Sequence, residues 1–342
     1  MKPSKVVVFC LLISLITYSL NIPLFDVIVQ RKSYKTSGNE QNNIEMWCKS
    51  FGGEGPDEAY ALLQTTDGGF ALAGYTDSFG AGGYDMWLVK TDADGTAQWN
   101  QTYGGPVDDE AYTLLQTTDG GFALGGVTKS YGTSWNNMWL VKTDANGTAQ
   151  WNKTYNRPYG DYKRAFIETT DDGFALVGYS PSLDPDDWDM WLIKTNAYGT
   201  VQWNQTYGGS RVEEAFTLIQ TADGGFALAG VTHSYNAGSR DMWLVKTYSN
   251  GTFQWSQAYG GLGFDIPYAL IQTTDGGFAL AGYTHSFGAG DNDMWLIKTD
   301  AEGKICILTT GKRTSGLEIF SLLTTVIFLT IWSKKKKYLI TK

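Results

Sequence analysis

The chain has 342 residues, of which 14% are aromatic and 18% charged, and it contains 41 glycines. This composition argues against disorder and against a long helical array, and it is typical of short strands joined by tight turns. The net charge is −9, and residues 47–303 alone hold 31 acidic and 13 basic residues, a net charge of −18. Such a charge disfavours nucleic-acid partners and favours cations or basic surfaces.

The amino-terminal segment has the pattern of a secretory signal. Lys2 and Lys5 precede an apolar run over residues 6–20, as in the charged and apolar regions of a signal peptide. No clear small-residue cleavage site follows, so residues 1–20 are predicted to be either a signal peptide or an uncleaved anchor. Residues 21–43 are polar and are predicted to be a linker.

A 52-residue unit then recurs five times. The first copy contains four β-runs, EAYALLQTT, FALAGYT, DMWLVKT and TAQWNQTY, separated by two tight turns and two longer loops. Each copy also has a glycine in its second run, which indicates either a bulge or a close approach by a neighbouring group. Two tryptophan series keep the 52-residue spacing: Trp47, Trp99, Trp151, Trp203 and Trp255, and Trp87, Trp139, Trp191, Trp243 and Trp295.

The repeat predicts an all-β fold, a five-bladed β-propeller of four-stranded antiparallel blades over residues 44–310. One such sheet cannot bury both faces, whereas sheets stacked around an axis can. The ten repeated indoles are expected to fill the space between blades. Residues 44–51 and 304–310 both resemble the fourth run, so both are candidates for the outer edge of the last blade.

The repeat resembles that of secreted prokaryotic, especially archaeal, surface proteins. The resemblance rests on DGGFALAGYTDSFGAGGYDMWLVKTD and GTAQWNQTYGG and covers five copies. A weaker resemblance, through Asp92, Gly95 and Trp99, is to propeller repeats of the pyrroloquinoline-quinone type. There the turn is longer and seven or eight blades are usual, so no quinone cofactor is carried over.

The carboxyl-terminal segment is predicted to anchor the protein. After a linker at 311–316, residues 317–333 are predicted to form a short apolar transmembrane helix, and residues 334–342 are predicted to be a basic cytoplasmic tail. A helix lying on the membrane surface is the alternative. Cys48 and Cys306 lie at the two ends of the repeats and are predicted to form a disulfide, the alternative being two separate thiols.

One series of carboxylates is the sharpest candidate site. Its members precede each first strand and would form a ring that could bind a ligand or Ca²⁺. No other cofactor is expected. The alternative is that each carboxylate accepts hydrogen bonds within its own loop. The members are Asp57, Asp109, Asp161, Glu213 and Asp265. A second series beside each third strand comprises Asp85, Asp189, Asp241 and Asp293, with Asn137 in place of the fifth.

Other candidates lie in the variable loops and at Asn-x-Thr triplets. Trp135 and Trp188 could bind a ligand or pack on their own blade, and the third unit diverges at Lys163 and Arg164. The predicted glycosylation sites are Asn100, Asn146, Asn152, Asn204 and Asn250.

We therefore expect a monomeric, glycosylated, cell-surface binding or scaffold module with an extracellular propeller. Its partner is expected to be a glycan, a protein or a cation, with the membrane reached through the carboxyl-terminal anchor. The alternative is a carbohydrate-active hydrolase with paired carboxylates on the loop face. No catalytic residue is assigned, since His233 and His285 are the only histidines and no catalytic triad pattern occurs.

Overall fold

A computed structural model describes residues 32–33, 45–132, 136–155, 162–181, 188–235 and 238–305. The chain divides into one compact unit over Met1–Lys304 and another over Ile305–Lys342, of which only Ile305 is described. Within the described ranges every regular element is a strand, and no helix is long and apolar enough to cross a membrane. The apolar segments at 6–20 and 317–333 lie outside those ranges.

The five repeats form five antiparallel sheets, here numbered I to V, each from one repeat. Sheet I contains β3 (Asp57–Gln64), β4 (Phe70–Thr76), β5 (Asp85–Thr91) and β6 (Ala97–Tyr103). Sheet II contains β7 (Asp109–Gln116), β8 (Phe122–Thr128), β9 (Asn137–Thr143) and β10 (Ala149–Tyr155). Sheet III contains β11 (Tyr162–Glu168), β12 (Phe174–Pro181), β13 (Trp188–Thr195) and β14 (Val201–Tyr207).

Sheet IV contains β15 (Glu213–Gln220), β16 (Phe226–Thr232), β17 (Asp241–Thr247) and β18 (Phe253–Tyr259). Sheet V has three described strands, β19 (Asp265–Gln272), β20 (Phe278–Thr284) and β21 (Asp293–Lys298). The all-β class and the repeated antiparallel sheets are thus confirmed. The expectation of four strands in every blade is met in sheets I to IV; in sheet V, residues 306–310 of the expected fourth strand lie outside the described ranges.

The first strand of each sheet has a β-bulge opposite the glycine that recurs in the second strand of every repeat. In sheet I the register shifts between Ala59 and Ala61, and Ala59 pairs with Gly74. A Cβ at Gly74 would lie 1.8 Å from the carbonyl oxygen of Glu58. The bulge and the close backbone approach, which the sequence left as alternatives, therefore occur together.

Neighbouring sheets pack face to face through four apolar clusters, one at each junction. At the I–II junction, Met86 and Leu88 of sheet I contact the face of sheet II that carries Leu114 and Trp139. The third-strand tryptophans of sheets I to IV are at most 5% exposed. The fourth-strand tryptophans are half-buried and meet a phenylalanine of the next sheet edge-on, as Trp99 meets Phe122 at 5.7 Å. The predicted packing between sheets is thus confirmed for the eight repeated indoles that belong to these clusters, and for Trp47 and Trp87 it stays a prediction.

The outer faces of sheets I and V are exposed. Leu62 of sheet I is 66% exposed, and Met294 and Leu296 of sheet V are 95% and 71% exposed. No described core cluster joins these two faces, so closure into a ring stays a prediction.

The segment before sheet I nevertheless packs as a fourth strand would. Trp47 meets Phe70 at 5.7 Å and 71°, close to the 5.7 Å and 69° of the equivalent pair in the next repeat. The preceding residues form β2 (Glu45–Met46), which pairs with β1 (Lys32–Ser33) rather than with the strand of Trp295. Cys48 is exposed; because Cys306 lies outside the described ranges, the disulfide stays a prediction.

Candidate functional site

The predicted carboxylate series is built into the loops. Glu213 is fully buried. Its Oε2 accepts a hydrogen bond from Gly209 N at 2.7 Å, and its Oε1 accepts from Thr232 Oγ1 at 2.8 Å and from Ser234 N at 3.0 Å. A carboxylate surrounded by donors in its own loop serves as a local acceptor that fixes the loop.

The other described members repeat this arrangement. Asp109 and Asp265 are fully buried and Asp57 is half-buried. Asp57 accepts from Gly53 N at 2.8 Å and Ser78 Oγ at 2.7 Å. Asp161 lies outside the described ranges. Among the described residues no group of three or more His, Cys, Asp or Glu side chains could hold a metal ion. The hydrogen bonds that these four carboxylates accept within their own loops are those that the loop-acceptor alternative expects.

The second carboxylate series meets the first at the sheet junctions. A Cβ at Gly104 would lie 1.8 Å from Asp85 Oδ1 and 2.9 Å from Asp109 Oδ2, so both carboxylates border the same glycine. Burial raises the pKa of Asp85, and the charge of Asp109 acts in the same direction. At the next junction the equivalent residue is Asn137, which donates to the Tyr131 carbonyl at 2.7 Å.

The remaining predicted residues are described only in part. Trp188 is half-buried and lies edge-on to Tyr179 of its own sheet at 5.3 Å. Trp135 and the side chains of Lys163 and Arg164 lie outside the described ranges. Asn146, Asn152, Asn204 and Asn250 are exposed, whereas Asn100 is half-buried. Asn100 accepts a hydrogen bond from Trp87 Nε1 at 3.0 Å, and Asn152 and Asn204 accept the equivalent bond from the third-strand indoles of their own sheets.

A cavity that the sequence analysis missed lies at the opposite end of the strands, between sheets II and III. We call it the turn-end cavity. Its volume is about 500 Å³, and the lining residues come from tight turns and from β9, β10 and β11. Those that matter chemically are Trp151, Glu168, Asp172 and Tyr198, with Asp119 and Lys142 beside them.

Three of these residues depart from the repeat. Glu168 stands where the other units have Gln64, Gln116, Gln220 and Gln272, and Asp172 stands where they have glycine. Asp172 has φ of 60°, whereas the glycines at its position have φ between 79° and 87°. A side chain in this left-handed region is unfavourable. Tyr198, which is 73% exposed, replaces Asp94, Asn146, Asn250 and Glu302.

The two carboxylates share a neighbour across the junction. Thr118 N donates to Glu168 Oε2 at 3.2 Å, and Thr118 Oγ1 lies 3.4 Å from both Glu168 Oε1 and Asp172 Oδ1. Those two carboxylate oxygens are therefore at most twice 3.4 Å, or 6.8 Å, apart. Burial raises the pKa of Glu168, and the charges of Asp172 and Asp119 add to this effect.

The comparisons with known proteins do not assign a family. No protein family model and no curated protein sequence matches the chain. Among solved structures, a protein of unknown function from Bacteroides caccae has 13% identity and a TM-score of 0.45, covering 72% of this chain and 80% of its own. The endo-arabinase of Bacteroides thetaiotaomicron has 9% identity and a TM-score of 0.39, covering 74% and 94%.

A third solved structure, Sqt1 from Chaetomium thermophilum, has 15% identity and a TM-score of 0.33, covering 66% of this chain and 68% of its own. At these values the similarities carry no argument about the function of this chain.

Proposed function

We propose that this protein is a cell-surface binding module whose five sheets close into a β-propeller and whose ligand is a neutral glycan. The surface location is supported by the apolar segments at 6–20 and 317–333 and by the basic tail that follows the second of them. The ligand site is the turn-end cavity rather than the loop-face carboxylates, because the latter are engaged within their loops.

Ring closure is supported by the composition of the two outer faces. Met294 and Leu296 correspond to Met86 and Leu88, which are fully buried at the I–II junction. Leu62 corresponds to Leu114, which is 7% exposed. Because Trp47 already packs on Phe70 as fourth-strand indoles do, we propose that residues 45–51 supply the fourth strand of sheet V. The occupant of each outer face is thus the other end of the same chain.

The observation that carries the glycan proposal is the convergence of three repeat departures on one cavity. The rings of Trp151 and Tyr198 offer apolar faces to the C–H groups of a sugar. Ionised Glu168 and Asp172 accept hydrogen bonds and cannot donate them, which suits a ligand rich in hydroxyl donors. Their charges disfavour an anionic glycan.

The test is binding of the full chain to an array of neutral oligosaccharides, followed by titration calorimetry of the best one. Tyr198→Asn restores the residue of units two and four and is expected to weaken binding about tenfold, the equivalent of about 1.4 kcal/mol. Tyr248→Asn, the same change at another exposed turn tyrosine outside the cavity, is the control. Equal affinity of Tyr198→Asn and wild type would remove the cavity from the proposal.

A second candidate function is glycoside hydrolysis at the same cavity. It is favoured by the raised pKa of Glu168 and by the nearby carboxylate of Asp172, since glycosidases pair an acid with a second carboxylate about 5–10 Å away. Hydrolysis predicts turnover of the bound oligosaccharide that Glu168→Gln abolishes while binding persists. Binding without product formation at high protein concentration excludes it.

A further inference from the structure

The loop end of sheet IV contains a cavity with a composition unlike the rest of this acidic chain. Its volume is about 450 Å³. The loop before β15 contributes Ser210, Arg211 and Val212, and the loop after β16 contributes His233 and Ser239. This site lies at the opposite end of the strands from the turn-end cavity, and we call it the loop-end cavity.

Two arginines distinguish this cavity from the other repeats. Arg211 and Arg240 are the two arginines whose side chains the structure describes; Arg211 lines the cavity, and Arg240 contacts the lining residue His233. The described residues at the position of Arg211 in other units are Gly55, Val107 and Gly263. Those at the position of Arg240 are Tyr84, Asn136, Trp188 and Asn292.

Arg240 orients the histidine that lines the cavity. Its Nε donates to His233 Nε2 at 2.6 Å, so the imidazole carries its own proton on Nδ1. Burial lowers the pKa of His233, and the charge of Arg240 acts in the same direction, so the ring is neutral near pH 7. Arg240 also lies 3.7 Å from Glu214, which partly offsets its charge.

Arg211, by contrast, is exposed and has no ion-pair partner in the part of the chain that the structure describes. The neighbouring Glu213 points into its own loop and is surrounded by donors. The cavity therefore presents a guanidinium that has no ion pair among the described residues, with the hydroxyl of Ser210 beside it in the chain.

We propose that the loop-end cavity binds the carboxylate of a small organic anion of monosaccharide size, with Arg211 as its main contact. A guanidinium binds a carboxylate through two parallel hydrogen bonds, and about 450 Å³ suits a small-molecule ligand. A singly charged group is favoured over a dianion because the surrounding charge of −18 for residues 47–303 repels each added negative charge.

The experiment is calorimetric titration of the full chain with glucuronate, with glucose and with inorganic phosphate at low and high salt. We expect glucuronate to bind, and Arg211→Gly, which introduces the residue of units one and five, to weaken it at least tenfold. Arg211→Lys keeps the charge without the planar fork and is expected to lie between the two. Lys129→Ala is the matched control, because Lys129 lies in the same loop position as His233 but is paired with Asp108 at 2.8 Å.

Equal glucuronate affinity of Arg211→Gly and wild type, with both folded by circular dichroism, overturns the proposal. Glucose binding as tightly as glucuronate also overturns it, as does phosphate binding more tightly, which would indicate a general anion site. Because Tyr198→Asn is expected to leave glucuronate binding unchanged, failure here is distinguishable from failure of the glycan proposal.

Discussion

The inner junctions and the two outer faces contain the same residues in different surroundings. Met242, at the IV–V junction, is fully buried, whereas its counterpart Met294 on the outer face of sheet V is 95% exposed. Leu114 at the I–II junction is 7% exposed, whereas its counterpart Leu62 on the outer face of sheet I is 66% exposed. The repeat therefore specifies a sheet with two apolar faces, and only a neighbouring sheet can bury them.

The first prediction has the largest expected effect and tests whether the outer faces of sheets I and V are buried in solution. Met242→Ala should lower the free energy of unfolding by about 2–5 kcal/mol, since it leaves a cavity in a packed junction. If the ring closes as proposed, Met294→Ala should cost more than about 1 kcal/mol, whereas an exposed methionine would cost less than about 0.5 kcal/mol. Urea denaturation of both variants measures the difference.

The molecular mass, measured by light scattering, shows whether the outer faces are buried within one chain or between two chains. If the protein is a monomer and Met294→Ala lowers its free energy of unfolding by more than about 1 kcal/mol, the chain closes on itself. A concentration-dependent dimer that Met294→Ala dissociates would assign the outer faces to a second copy instead and contradict the closure that we propose.

A second prediction contrasts the II–III junction with the other inner junctions. Phe166 stands where the other units have leucine, and the facing Gly125 stands where three units have alanine. A Cβ at Gly125 would lie 2.4 Å from Phe166 Cδ1. Gly125→Ala alone should cost about 1–3 kcal/mol through overpacking.

The double variant Gly125→Ala with Phe166→Leu recreates the Ala73 and Leu114 pair of the I–II junction. It should cost less than the sum of the two single variants, because the new methyl group fills the space that the ring vacates. Strict additivity of the three unfolding free energies would show that the two positions do not compensate each other.

The smallest expected effect concerns the buried carboxyl of Asp85. Asp85→Asn should raise the Tm at pH 7 by a few degrees, equivalent to about 1 kcal/mol or less, since Asn137 occupies the same position in sheet II. The folded-state pKa of Asp85 is raised, so its stabilising contribution is present below the unfolded-state pKa and is lost as pH rises. The gain should therefore shrink from pH 7 to pH 4; an unchanged gain would contradict this cause.

The sequence predicted the sheets well because their determinants are local and repeated. Tryptophan spacing and turn residues located each strand, and the edge contact of Trp99 with Phe122 has an equivalent at every inner junction. The sequence of one repeat could not specify whether sheets I and V meet. That depends on the rotation between neighbouring sheets, accumulated over all five of them.

The candidate site was harder to predict because three of its residues differ from those that the repeat has at the same positions. The four described carboxylates of the first series accept hydrogen bonds within their own loops, and the sequence held a signal for this: each lies opposite a Thr-x-Ser sequence, such as Thr232 and Ser234 opposite Glu213, that supplies donors. The turn-end cavity depends on residues that break the repeat. Comparing units position by position reveals Glu168 and Tyr198, but that both line one cavity follows only from the packing of sheets II and III.

One hydrogen bond has a mechanical consequence. The hydroxyl of Tyr259 in sheet IV donates to the carbonyl of Gly303 at 2.5 Å, just as Tyr207 donates to Gly251 at 2.6 Å. The last turn of sheet V is thereby tied to the preceding sheet. Tension applied to the chain beyond residue 304 would be transmitted to sheet IV as well as to sheet V, so that two sheets resist the pull together.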